Sequence, residues 1–428
     1  MQTSATRVHD DLDVSSTAFW AQAPEERERS FALLRRERPV SWHRPAEGGL
    51  VPQDSVDPGY WAVVLHEDIV AVSKDPQTFC SGGGVMFEDI PLEIAEAASS
   101  FLIMDAPRHV KLRRLVASAF TMRQVARIEE QIRVHARTLV NELAPLGECD
   151  LVAQVAERLP VLTLSDMLGV SAGDREAVAV AANEMVGWND AELLGDREPI
   201  ELTYHALLTL TGVALRMAEE RRGHPADDLM TALVQAEVEG DRLSDEEIGA
   251  FFVLLNVAGN DTTRHTISHG VRLLTLHPEQ RRLLMEDFSG RIDGAIDEIL
   301  RWATPVMTFR RTATRDVELR GRHVAEGDKV VLFYSSANRD ERVFADPGRF
   351  DILRHPNPHV GFGGGGPHFC LGFSLARAEL RAIFDEMLHR VGDIEAGEPR
   401  YLAGNFMNGI KRLPVRFTPA GPWSPQPL

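Results

Sequence analysis

The chain is poor in cysteine: its 428 residues hold only Cys80, Cys149 and Cys370. Three thiols make no disulfide framework, and their scarcity fits a reducing cytoplasm. Cys80 and Cys149 read as structural or incidental. No stretch comes near the roughly 18 uninterrupted apolar residues that a membrane-crossing helix needs. Residues 1–14 have no apolar core of the signal-peptide kind, so neither a secretory leader nor a membrane anchor is expected. Internal repeats are absent. Positive charge is in deficit, with 46 Lys and Arg against 64 Asp and Glu, a formal charge of −18. That balance argues against a general nucleic-acid binder.

Apolar residues make up 44% of the chain, enough for a large core. The pattern is mostly helical. Residues 25–38 and 67–74 read as helices, the latter stopped at Asp75-Pro76. Residues 60–65 read as a strand, and 43–59 as a loop. Residues 82–91 read as a glycine-rich loop and a mobile lid. Helical pattern dominates from 108 to about 235. The clearest helix starts near residue 243, where Ser244 and Glu247 form a capping box, and runs to Leu276. It is apolar on nearly all sides between Ile248 and Val257, so it should cross the core. Short strands are expected within 310–319, 323–333 and 406–417. The fold class is mainly α with small β-sheets.

The run 361–372 reads G-F-G-G-G-G-P-H-F-C-L-G. It sets Cys370 just before a helix expected over 373–388. The helix N-terminus, with its unpaired N–H groups, favours thiolate over thiol there. A thiolate so held suits an axial ligand to a haem iron. Three other readings compete. Four glycines could cradle a phosphate, but no Lys-Ser/Thr pair follows them. His355, His359, His368 and Cys370 could bind zinc, but no C-x-x-C accompanies them. The loop could simply pack a buried free cysteine.

The run resembles the haem-binding signature of cytochrome P450, the haem-thiolate monooxygenases. The order of aromatic, glycines, basic residue, Cys, x and Gly carries the resemblance. Phe362 lies eight residues before Cys370, one more than the commonest family spacing, as in some bacterial lipid- and steroid-oxidising subgroups. The resemblance implies the family's triangular helical prism around haem b, with Cys370 on the iron, Phe362 shielding the thiolate and Gly372 closing the loop. It covers nearly the whole chain. It implies one catalytic domain over 15–417, between a flexible arm at 1–14 and a Pro-rich tail at 418–428. No length is left for a fused flavin reductase.

Other segments then gain roles by the same resemblance. Ala258-Gly259-Asn260-Asp261-Thr262-Thr263 places small residues and an acid–alcohol pair in the long helix. Ala258 and Gly259 would leave room for dioxygen and substrate. Asp261 and Thr262 would deliver protons to dioxygen. Without the resemblance, Thr262 would simply back-bond to its helix and Gly259 would permit close packing. Glu298-x-x-Arg301 and Arg349 would form a buried ion network that supports the cysteine loop. His109, Arg113, Arg311 and His368 would hold the haem propionates, with Arg310 an alternative to Arg311. Arg377, Arg381, Lys111 and Arg114 form a candidate docking patch for an acidic ferredoxin. Ordinary helix surface charge is the alternative for these four residues.

Substrate contacts are expected at Val85, Met86, Phe87, Leu254, Val306, Met307, Phe406 and Met407, though apolar side chains there could equally be core. No buried acid other than Asp261 stands out, so an apolar substrate is favoured. Residues 84–91, 104–107, 361–370 and 408–414 look most like branched-lipid and steroid hydroxylases of actinobacteria. Hydroxylation of a fatty acid, isoprenoid or sterol is expected, with electrons from a ferredoxin and its reductase, in a cytoplasmic monomer. Oxidation of a polyketide or other natural product is the alternative. A haem-containing binder without turnover is the third reading, against which the Asp261-Thr262 pair speaks.

Overall fold

The structure is a computed structural model that describes residues 7–48, 50, 58–117, 120, 122–188, 190–238 and 240–421. The ends of the expected arm and tail, 1–6 and 422–428, lie outside the described residues, as do 51–57 of the expected loop. The arm's remainder is docked against the body: Val14 is fully buried, and Arg7 pairs with Asp328 at 2.7 Å.

One helix organises the rest. Asp245–Leu276 runs 32 residues, and the reciprocal Ser244–Glu247 capping box satisfies its first free N–H groups. At 1.5 Å per residue it is about 48 Å long, enough to traverse the molecule. Ile248, Gly249, Ala250, Phe251, Phe252 and Val253 are all buried, so one stretch of the helix is enclosed on every side. Its neighbours in the core are Pro199–Gly223, Arg158–Leu168, Phe288–Ala303 and Phe373–Arg390.

The main sheet is small and lies to one side. Its strand order is Val40–His43, Tyr60–Val63, Lys329–Phe333, Thr308–Ala313, Phe79–Cys80. Tyr60–Val63 pairs antiparallel with Val40–His43 and parallel with Lys329–Phe333. One face packs Trp20, Phe31, Tyr60, Phe87 and Phe333 into an aromatic cluster, with Trp20 and Phe333 stacked at 6.2 Å. The strands expected at 406–417 appear as Ile410–Arg412 and Pro414–Arg416. Among the described residues no helix is long and apolar enough to cross a membrane.

Phe252 is fully buried in the enclosed stretch of the long helix. Phe252→Ala should therefore cost about 3–5 kcal/mol. A fall in the urea midpoint of unfolding, at unchanged slope, is the check.

Candidate functional site

The glycine run packs against the helix His66–Lys74. A Cβ on Gly366 (φ +75) would sit 2.2 Å from the Ser73 carbonyl oxygen, and one on Gly364 would sit 2.5 Å from the Ser73 hydroxyl. Only glycine lets the backbones approach so closely, which explains the run without a phosphate. The loop returns through a bond from the Cys370 N–H to the Phe362 carbonyl at 3.0 Å. The helix Phe373–Arg390 begins just after, with Gly372 at its N-cap.

Beneath this loop lies a cavity of about 230 Å³. Cys370, Phe362, Gly372 and His368 line one side, and Ala258, Gly259 and Thr262 line the other. Arg113 and Arg311 reach it from the edges. A second cavity of about 150 Å³ shares Leu254, Ala258, Thr262, Val306 and Phe309 with the first.

Burial pushes the Cys370 thiol up to about 11, against the pull of the Gly372 N–H and Arg113. The helix N-terminus alone therefore does not make the thiolate expected from sequence. A coordinated metal ion would, because its charge displaces the thiol proton. The surrounding groups fit an anionic, metal-bearing planar group. Both ring nitrogens of His368 are buried without a partner. Arg113 donates to the Phe369 carbonyl, and Arg311 to the Arg310 carbonyl at 2.7 Å. His109 is not in the cavity wall; its ring packs on His368 at 4.2 Å, and its Nε2 is also unpartnered. Arg310 turns away to Asp89 at 2.7 Å and to the Gly83 carbonyl, so it is no alternative to Arg311. Among the described residues no group of three or more His, Cys, Asp or Glu could hold a metal ion.

Comparisons with known proteins agree with this geometry. A family profile described as cytochrome P450 matches residues 208–391. A cytochrome P450 of Mycobacterium marinum, CYP268A2, solved in complex with pseudoionone, superposes with a TM-score of 0.94. It is 55% identical and covers 96% of this chain and 99% of its own. The chain belongs to the cytochrome P450 family. A methyl-branched lipid omega-hydroxylase of Mycobacterium tuberculosis is 43% identical over 412 residues, covering 95% of each chain. A steroid C26-monooxygenase of Rhodococcus jostii is 42% identical over 399 residues, covering 92% of this chain and 82% of its own. The protein is thus a P450 monooxygenase, a class that works with a haem-thiolate cofactor, dioxygen, a substrate and a redox partner.

In this P450 the acid–alcohol pair lies at the cavities. The Thr262 hydroxyl donates to the Ala258 carbonyl at 2.7 Å while lining both cavities. Asp261 lines the second and is 1% exposed. Arg264 Nη2 approaches Asp261 Oδ1 to 2.6 Å. The Arg264 donors are directed at Asn183 and His265 instead, and neither Asp261 oxygen accepts a directed hydrogen bond. Burial raises the Asp261 carboxyl to about 6, with Arg264 pulling down and Glu157 pushing up. The missing Cβ of Gly259 faces Leu164, where it would meet Cδ1 at 2.6 Å. That glycine permits close helix packing, and it also lines the cavity of Cys370 beside Ala258.

The ion network also differs from expectation. Glu298 and Arg301 are fully buried and joined by two bonds of 2.7 Å. The second arginine on Glu298 is Arg354, at 3.2 Å, not Arg349. The Arg349 side chain is 63% exposed and contributes only its carbonyl, to Arg301. Both arginines sit on one irregular segment, and its turn points the later one inward. Arg377 and Arg381 of the expected docking patch pair with Asp297 and Asp293. Arg114 is exposed.

Of the expected substrate contacts, Leu254 and Val306 line both cavities, and Met86, Phe406 and Met407 line the second. Val306 and Met407 meet in a β-bridge. Val85 and Phe87 are buried away from the cavities, Phe87 in the aromatic cluster. Met307 lies in that cluster too, with its sulfur 3.4 Å from Arg27. The segment expected as a mobile lid is clamped: Asp89 takes Arg310 and Lys329, which hold its carboxyl below the usual range despite burial.

Sequence reasoning missed two buried acids. Glu379 accepts from the Thr263 hydroxyl at 3.3 Å, and burial lifts it to about 8. Glu88 lines the second cavity beside Met86 and Ile90. Its signal was the alternation of Met86 and Glu88, which line the cavity, with Val85 and Phe87, which are buried in the core. Arg354→Ala should cost about 1.5–3 kcal/mol by removing a charged donor from the buried Glu298. Arg349→Ala should stay within about 0.5 kcal/mol. Denaturant unfolding of the two variants side by side tests the assignment; equal effects would contradict it.

Proposed function

We propose that this P450 inserts one oxygen atom of dioxygen into a C–H bond of an apolar lipid, isoprenoid or steroid. The observation that carries the reading is the pair of contiguous cavities, apolar over most of their walls, with Cys370 at one end. The names of the relatives support it: two act on a methyl-branched lipid and a steroid, and a third was solved with pseudoionone. Burying such a chain is favoured by about 25 cal/mol per Å² of apolar surface.

Cys370 would hold the iron of a haem b, and Arg113, Arg311 and His368 would hold its carboxylates; the group would supply reductive activation of dioxygen. Phe362 covers the sulfur side and keeps water from it. Gly372 directs its N–H at the sulfur. His109 positions His368. Glu298, Arg301 and Arg354 hold the loop. Leu254, Val306, Phe406 and Met407 orient the substrate. Thr262 holds its hydroxyl at the cavity wall, and Asp261 carries the proton from the Arg264 side inward. Electrons come from a ferredoxin and a ferredoxin reductase.

The test is turnover with a surrogate ferredoxin, its reductase and NADPH, against branched fatty acids, isoprenoids, sterols and macrolides. Hydroxylated lipid products are expected; products from macrolides alone would replace the reading with natural-product tailoring. Cys370→Ala should abolish the thiolate-type spectrum of the reduced carbon monoxide complex, and a variant that kept it would remove the axial assignment. Asp261 carries its proton below about pH 6. The share of NADPH recovered as product should therefore fall as pH rises above that value. Asp261→Asn should flatten this dependence and Thr262→Ala should lower the share at every pH. An unchanged profile in Asp261→Asn would refute the relay.

A further inference from the structure

Glu88 is 5% exposed, and its Oε2 has no hydrogen-bond partner. Its other oxygen accepts from the amide of Asn405, which is also buried. Both residues line the second cavity and neither lines the cavity of Cys370. A buried carboxyl oxygen without a donor is costly unless a ligand completes it. Apart from Glu88 and Asp261, the second cavity's wall has no charged side chain: no Lys, Arg or His lines it. Arg310 gives its two terminal nitrogens to Asp89 and the Gly83 carbonyl and does not line this cavity.

We propose that Glu88, with Asn405, is a specificity-determining residue that binds the hydroxyl headgroup of an otherwise apolar substrate and rejects a carboxylate there. The inference deepens the lipid-hydroxylase reading and rests on it. A hydroxyl both donates and accepts, so it suits a carboxyl in either protonation state. Burial raises Glu88 to about 7, with Asn405 and Arg310 pulling down, so both states are populated near neutrality. A carboxylate brought to the same place would add a negative charge to a wall that holds two acids and no base. A headgroup held at Glu88 lies outside the inner cavity. The chain then runs past the shared residues Leu254, Val306 and Phe309 toward Cys370, and its far end is presented for oxidation.

The test is calorimetric titration of the haem-loaded full chain with farnesol, farnesoic acid and farnesyl methyl ether, which share one apolar chain. Farnesol should bind about tenfold tighter than the acid or the ether. Glu88→Gln should bring the acid to within a few-fold of the alcohol, and Glu88→Leu should erase the preference of alcohol over ether. If the wild type binds acid and alcohol equally, or if Glu88→Leu keeps the alcohol preference, the headgroup assignment is overturned. Equal binding of all three would overturn that assignment alone and leave the apolar-chain reading standing. Binding of none would overturn both.

Discussion

The cysteine loop depends on one carboxylate. Glu298 is fully buried, and it takes Arg301, Arg354, Asn357 and the Asp351 N–H together. A buried charge is tolerable only when its oxygens are this completely occupied. Arg301 passes the constraint onward. It donates to the carbonyls of Asn338, Pro347 and Arg349, and Asn338 in turn accepts the N–H of Val360, the residue before the glycine run. One position along the same helix, Asp297 takes His359 and Arg377, which ties both sides of the loop to one support. The cysteine is thus placed by an electrostatic frame anchored on a rigid helix, and not by the glycines that make its approach possible.

The same division between frame and freedom explains what could be read from the sequence. The long helix was legible because its signals are local: a capping box, an apolar stretch and a stop at His277-Pro278. Cys370 was legible because glycines, a basic residue and a cysteine in that order mean little else. Arg349 against Arg354 was not legible. Both follow Pro347 within a few residues, and only the course of the backbone decides which side chain meets Glu298. The second role of Gly259 was hidden for a related reason: the direction of a missing Cβ is a tertiary fact, and here it faces Leu164. Glu88 was hidden in an apolar run: Phe87 turns into the core, while Met86, Glu88 and Ile90 face the cavity.

Polarity inside the molecule is unevenly matched. The support beneath the loop is saturated with donors, whereas the cavity side keeps several groups incompletely bonded: Asp261, Glu88, Glu379 and His368 each hold a buried atom without a partner. In a well-packed protein such atoms are rare, and they collect where a ligand or a moving proton completes them. Rigidity on one side and unfinished bonding on the other is the arrangement a binding site needs.

The sheet carries a consequence for how the chain comes together. Residues 60–63 pair in parallel with residues 329–332, which lie far along the chain. The first two strands can form their hairpin early, but one edge must wait for a partner that a ribosome delivers on the order of tens of seconds later. During that interval Tyr60 and its aromatic neighbours lack the Phe333 ring that covers them in the finished protein. Assembly order, and with it the exposure of an unpaired edge to chaperones or to other chains, is thus set by the separation of two strands in sequence.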